Sequence, residues 1–332
     1  MDVSPELFIN GVVAYQKTAA LKAAVGLDLF TAIGEGAAGV EALARRTGAN
    51  THGVRILCDY LTVEGILQKA NQQYALTPSS EVFLNRGSPA YMGDVIEFLA
   101  SPELIKLFLD DPASYVRNGG SVGLANVAPN NPIWVKFAEA MTSFVAPTAE
   151  GLATQAAALP RPPRKILEIA AGHGIFGIAM AKALPQAEVT AVDWENVLAV
   201  AKRNAERAGV TARYRPVAGS AFEVDWGGGY DLVLLPNFLH HFDQETCTRL
   251  MKKVRASLTP QGCAWAVEFI PNEDRVSPPF PAIFAFIMLG STPHGDAYTP
   301  SAFVEMGRAA GFRDISITPL PPSPQSLVAF TP

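Results

Sequence analysis

Apolar residues recur at helical spacing through LFINGVVAYQKTAALKAAVGLDLFTAI, from Leu7 to Ile33, interrupted only by single glycines. That spacing gathers apolar side chains along one stripe, so several consecutive helices are expected, with more apolar surface than one small domain covers. Next, GVEALARRTGANTHGVRILCDYLTVEGIL carries two short helical patterns around a Thr-Gly-Ala-Asn turn, and QKANQQYALT adds a polar, hairpin-like strip. Helix, turn, helix and hairpin in this order describe a winged helix-turn-helix. Further helical patterns run from about Tyr91 to Val116 and from Ile133 to Ala158, separated by the loop NGGSVGLANVAPNNP, whose Gly, Asn and Pro content breaks regular structure.

Pro160, Pro162 and Pro163 in LPRPPRK stop the preceding helix, and the period then changes. KILEIA, IFGIAMAKAL, EVTAVD, NVLAVAKRNAERAG, ARYRPV, YDLVLL, a helix from about Gln244 to Leu258, and CAWAVEFI alternate strand with helix, which predicts a parallel, doubly wound sheet. The tail DISITPLPPSPQSLVAF holds two strand-like runs around a Pro-rich turn. They can pair only as an antiparallel hairpin, since a parallel crossover needs about a dozen residues or more. Such an ending differs from a dinucleotide-binding dehydrogenase, whose last strand is normally parallel. The expected fold class is therefore α/β: a Rossmann-like doubly wound sheet with an antiparallel last strand, preceded by a mostly α winged-helix domain. The expected boundaries are residues 1–100 for the winged-helix domain, 101–160 for a helical linker contributing to a substrate pocket, and 161–332 for the sheet domain.

A chain of 332 residues exceeds one ordinary hydrophobic core, so two are expected. With 49% hydrophobic and 17% charged residues, some apolar surface is expected to face a partner subunit or ligand, which predicts a homo-oligomer. A net charge of -5 gives no electrostatic reason to seek nucleic acid or anionic lipid. The second helix of the winged motif offers Arg55 as its only strong cation among Val54, Ile56, Leu57, Tyr60 and Leu61, and reads as a packing element. A winged-helix regulator with a ligand-sensing domain is the non-enzyme alternative. Cys58, Cys247 and Cys263 are odd in number and widely spaced, which suits buried, reduced thiols of a cytoplasmic protein without disulfide or metal site. No basic segment leads into an apolar stretch at the N-terminus, and no apolar run reaches membrane-spanning length, so a soluble protein without a targeting signal is expected.

The first strand ends in EIAAGHG, where Glu168, Gly172 and Gly174 bracket a small-residue turn into a helix. Small residues admit a ligand close to the backbone, and the helix start favours its carboxylate or phosphate. The second strand ends in AVDW, and Asp193 follows at about the interval at which a carboxylate grips a ribose. Together they point to a nucleoside cofactor; the alternative is that Glu168 and Asp193 merely cap backbone amides.

From these residues the chain resembles, over essentially its whole length, the bacterial and plant small-molecule O-methyltransferases of the caffeate and acetylserotonin type, class I enzymes dependent on S-adenosylmethionine (SAM). The helical N-terminus, winged helix, glycine turn, acid after the second strand and LHHFDQETC occur in that family's order. The family's His-Asp-Trp motif with its following Glu and Cys is matched by His240, His241, Phe242, Glu245 and Cys247. The resemblance implies a homodimer interlocked through residues about 1–100, SAM as methyl donor, and S-adenosylhomocysteine as product. It implies His240 as general base, with His241 in the place of the family's aspartate. It implies that Asp193 binds ribose, that Trp194 packs on adenine, and that Ser220 and Phe222 face the adenine, Ser220 replacing the aspartate of a Gly-Asp pair. Glu268 matches an acid that orients the histidine, while Ala297 in GDAYT stands where a second glutamate is usual, with Asp296 and Tyr298 as conceivable substitutes. Ala170 stands where the family prefers the first glycine of its turn, a milder change because alanine is also small. Phe137, Met141, Phe284 and Met288 are the candidate walls of the substrate pocket, with plain core as their alternative reading.

Elementary chemistry agrees. A phenol with a pKa of about 10 is mostly protonated at neutral pH, and an imidazole near about 6.5 can take its proton during transfer. A carboxylate would hold that imidazole in one tautomer and favour the imidazolium, and Glu268 is the candidate. Adjacent His240 and His241 are expected to point apart, leaving one as a packing residue. N- or C-methylation, or a relative with altered chemistry, is the enzymatic alternative raised by Ala297 and Ser220.

Overall fold

The computed structural model describes residues 3–121 and 131–332, so the middle of the loop expected between Asn118 and Pro132 lies outside the described residues. The chain divides into two compact units, Met1–Ser101 and Pro102–Pro332. The helical stretch expected as a separate linker thus falls almost wholly within the second unit.

In the first unit, helices Glu6–Val12, Tyr15–Gly26 and Leu29–Gly34 precede the winged motif. That motif comprises helices Val40–Thr47 and Thr51–Val63 and the antiparallel strands β1 (Leu67–Ala70) and β2 (Gln73–Leu76). Gly48, at φ +67°, closes the first of these helices in a left-handed turn, and the Asn50 side chain accepts the His52 amide to open the second. Leu29, Phe30, Leu43, Val54, Cys58, Leu61 and Tyr74 form the core. Arg55 is paired with Asp59 at 3.1 Å, and Asp59 also accepts bonds from Lys69 at 2.5 Å and Tyr74 at 2.8 Å. Helix Glu6–Val12 buries none of its residues and leaves Leu7, Phe8, Ile9 and Val12 exposed, the surplus apolar surface that its sequence predicts.

The second unit begins with helices Pro102–Leu109, Pro112–Asn118, Pro132–Ala140 and Thr142–Ala157. The helical run expected from Tyr91 to Val116 is broken, because Pro102 and Pro112 each open a new helix: proline suits a first turn and obstructs an interior. The sheet follows, with β3 (Lys165–Ile169), β4 (Glu188–Asp193), β5 (Tyr214–Ala218), β6 (Tyr230–Pro236), β7 (Leu258–Glu268), β8 (Asp314–Pro319) and β9 (Ser326–Thr331) in the order β5-β4-β3-β6-β7-β9-β8. The pairs among β3 to β7 are parallel, whereas β9 runs antiparallel to both β7 and β8. Successive side chains alternate between faces: Ile166 joins Phe176 and Met180 on one side, and Leu167 joins Val233, Met251 and Phe303 on the other. Because β3 is flanked by β4 on one edge and β6 on the other, the strand order reverses there, and a crevice opens at the carboxyl ends of these strands. No helix among the described residues is long and apolar enough to cross a membrane.

Candidate active site

The turn from β3 into helix Ile175–Ala183 forms the floor of that crevice. Ala170, Gly172 and Gly174 all adopt positive φ, at 54°, 57° and 74°. Ala170 therefore bears a Cβ in a left-handed conformation that glycine adopts freely, so its substitution costs more than its small size suggests. A Cβ on Gly174 would lie 2.5 Å from the Tyr214 hydroxyl and 2.9 Å from the Ala201 Cβ, so nothing larger than glycine fits. A Cβ on Gly172 would meet nothing closer than 3.9 Å, and this open face borders the cavity.

Asp193, at the end of β4, braces the turn. Its Oδ2 accepts the Gly172 amide and its Oδ1 the Trp194 amide, both at 2.7 Å. Burial pushes its carboxyl up to about 6 despite these bonds. Glu168 lies one layer lower and fully buried, its Oε1 accepting the Gly177 amide at 3.0 Å and its Oε2 meeting the Tyr214 hydroxyl at 3.2 Å. Burial raises its pKa to about 8. Glu168 is not on the cavity wall; its side chain points to the helix start instead.

The cavity, counted out to its open mouth, encloses about 710 Å³. Asp193, Trp194 and the Ala170–His173 turn line one part, and Trp134, Phe137, Asn237, Phe238, His241 and Phe242 another. Gly172, Asp193 and Trp194 thus line one cavity. Each Asp193 oxygen carries one amide bond and keeps lone-pair capacity, and the glycine face is open, so the floor fits a nucleoside. Ser220 and Phe222 stand behind this wall: the Ser220 hydroxyl accepts the Phe222 amide at 3.2 Å, and Phe222 packs edge-on against Phe242 at 5.0 Å. Neither lines the cavity itself.

Beyond β6, a short turn over Leu239–His241 carries the two histidines. His240, 5% exposed, sets Nδ1 2.5 Å from Glu268 Oε2, while Glu268 Oε1 accepts the amides of Phe238 at 3.1 Å and Leu239 at 2.9 Å. The end of β7 therefore fixes both the ring and the turn that bears it. Phe284 stands edge-on to His240 at 4.9 Å and packs on Phe269 at 4.3 Å.

His240 and His241 do not point apart. Their ring centroids lie 4.5 Å apart, and His241 reaches the cavity beside Trp134 at 5.6 Å. Burial holds His241 well below the usual imidazole range, and its Nδ1 has no hydrogen-bond partner among the described residues.

The missing glutamate is not replaced. Ala297 is buried, the Asp296 carboxylate pairs with Arg275 at 2.9 Å, and the Tyr298 hydroxyl donates to the Phe242 carbonyl. These bonds instead pin the loop, since the Asp296 amide also donates to the His240 carbonyl at 3.0 Å. Of the four expected pocket residues Phe137 lines the cavity, Met141 and Met288 are buried away from its wall, and Phe284 stands off the wall beside His240. Asn237, Phe238 and His173 are wall residues outside the candidates, although His173 sits inside the glycine motif itself, and Trp134, from the same apolar stripe as Phe137, lines the wall too.

A family model described as the O-methyltransferase domain matches residues 114–313, and one described as the O-methyltransferase dimerisation domain matches residues 10–86. A 3-hydroxy-5-methyl-1-naphthoate 3-O-methyltransferase of Streptomyces sahachiroi is 27% identical, over 94% of this chain and 90% of its own. The solved structure of a proposed O-methyltransferase from Nostoc punctiforme has a TM-score of 0.94 at 45% identity, covering 99% of both chains. Human N-acetylserotonin methyltransferase, solved in complex with SAM, shares the fold with a TM-score of 0.83 at 19% identity, covering 100% of this chain and 98% of its own. With a catalytic-domain match spanning more than half its length and a dimerisation-domain match before it, the chain belongs to the O-methyltransferase family.

Proposed function

We propose that this enzyme moves a methyl group from SAM to the hydroxyl of a small aromatic acceptor, with His240 taking the hydroxyl proton. The observation that carries the reading is the buried contact of His240 Nδ1 with Glu268, whose second oxygen is occupied by two backbone amides. A carboxylate there accepts the proton on Nδ1, so Nε2 keeps its lone pair for an incoming hydroxyl. The same carboxylate stabilises the imidazolium that results.

SAM supplies a methyl group on a sulfonium, already activated for attack, so much of the rate can come from alignment. The chain's own residues supply that alignment. Asp193 receives the ribose hydroxyls, Trp194 offers its ring to the adenine, and Gly172 lets the ligand approach the backbone. Trp134, Phe137 and Phe238 offer flat apolar surface to an aromatic acceptor. Relatives named for hydroxynaphthoate and 3-amino-4-hydroxybenzoate support an aromatic hydroxyl as the target. The dimerisation-domain match and the uncovered helix Glu6–Val12 support a homodimer.

Mass spectrometry of phenols, catechols and aromatic amines incubated with enzyme and SAM tests the reading. Singly methylated hydroxyl products with equimolar S-adenosylhomocysteine are expected; methylation confined to nitrogen or carbon would overturn it.

A further inference from the structure

His173 lies within the glycine turn but is not used by the mechanism above. Its residue is 4% exposed and borders the cavity beside Gly172 and Asp193. Phe137 stacks on the ring, with centroids 6.2 Å apart and planes inclined by 22°, and Phe176 packs against it at 6.2 Å. Its carbonyl accepts the Asn204 side chain at 2.9 Å, which steadies the backbone beneath it.

Nδ1 accepts the amide of Ile175 at 3.1 Å. The proton of the neutral ring must then sit on Nε2, which has no partner among the described residues. Burial lowers the His173 pKa to about 4, so at neutral pH the ring is uncharged and Nε2 remains a single donor. The imidazole thus takes up an amide at the start of a nine-residue helix and offers an N–H of its own.

We infer that His173 is a positioning residue for the amino-acid end of the methyl donor, its Nε2–H donating to the carboxylate of SAM. The inference rests on the SAM reading above. Asp193, negative when ionised, suits hydroxyls and repels a carboxylate, so the ribose belongs at the end of β4. The positive end of helix Ile175–Ala183 favours the anionic end of the same ligand, and His173 stands at that point. The aromatic neighbours hold the ring in place, so the donor is already oriented before binding.

Two variants separate this contact from local structure. In His173→Asn the amide oxygen can still accept the Ile175 N–H, as Asn side chains do two residues on, but the side chain is too short to place a donor where Nε2 lies. His173→Phe keeps the aromatic packing and removes both bonds. Calorimetric titration of each with S-adenosylhomocysteine and with its decarboxylated form supplies the readout. Both variants should bind S-adenosylhomocysteine about ten- to a hundredfold more weakly than wild type, the effect of a lost bond to a charged group, while binding the decarboxylated form within about twofold. Unchanged affinity for S-adenosylhomocysteine, or equal losses for both ligands, would overturn the inference and leave His173 a packing residue. Wild-type protein that binds neither ligand would overturn the SAM reading itself.

Discussion

Glu168 accepts the amide of Gly177 at 3.0 Å, joining the end of β3 to the first turn of the following helix across the glycine turn. The bond is fully buried, and burial raises the carboxyl from 4.5 to about 8. In the unfolded chain the group ionises at its ordinary value, so between these limits the folded state holds a proton that the unfolded state has lost. The stability this group contributes is therefore complete below about pH 4.5 and declines as pH rises towards about 8. Glu168→Gln, which stays uncharged while keeping an acceptor for Gly177, should flatten this decline. Thermal melts of both proteins across that range check it; parallel pH profiles would contradict it.

The Asp193 carboxylate should be the strongest cofactor contact of the turn. Asp193→Ala should weaken S-adenosylhomocysteine by at least about tenfold, the scale of a lost charged hydrogen bond, as read by calorimetry. Since the free carboxyl titrates at about 6 and its ionised form is the better acceptor, wild-type affinity should fall as pH drops through that value. In Asp193→Asn this pH dependence should disappear.

Gly174 should tolerate no side chain. Gly174→Ala combines a positive φ of 74° with a Cβ 2.5 Å from the Tyr214 hydroxyl. A loss of about 2 kcal/mol or more is expected in denaturant unfolding. At Gly172, where the Cβ would meet only ordinary contacts at 3.9 Å, the larger effect of Gly172→Ala should fall on cofactor affinity.

The exposed apolar side chains of Leu7, Phe8 and Val12 predict that the protein sediments as a dimer at micromolar concentration. Removing residues 1–14 should shift it towards monomer. A monomeric full-length chain would contradict the assembly.

Much of the sheet was legible because strand periodicity and turn chemistry agree. β4 spans Glu188–Asp193 as EVTAVD predicts, and the tail forms the antiparallel hairpin that its short Pro-rich link requires. The site was harder to read. A carboxylate at a strand end looks alike in sequence whether it faces a ligand or a helix amide, so Asp193 and Glu168 could not be told apart there. The two histidines were expected to diverge as neighbours on an extended chain do, but the backbone turns tightly over Leu239–His241 and brings their rings together. Ala170 looked like a question of size, whereas its backbone conformation is what distinguishes it from glycine.

The turnover of His240→Ala with a phenolic acceptor at neutral pH, under saturating SAM, tests the central claim most directly. A loss of about 10² to 10⁴ is expected with affinity for S-adenosylhomocysteine nearly intact, because the imidazole acts on the acceptor's proton and not on the nucleoside. With Glu268 alone orienting the ring and no second glutamate beside it, the lower part of that range is favoured. His241→Ala, measured alongside, should lose much less, because His241 lines the cavity without a carboxylate to orient its ring. Retention of more than about half of wild-type turnover by His240→Ala would contradict base catalysis by this residue.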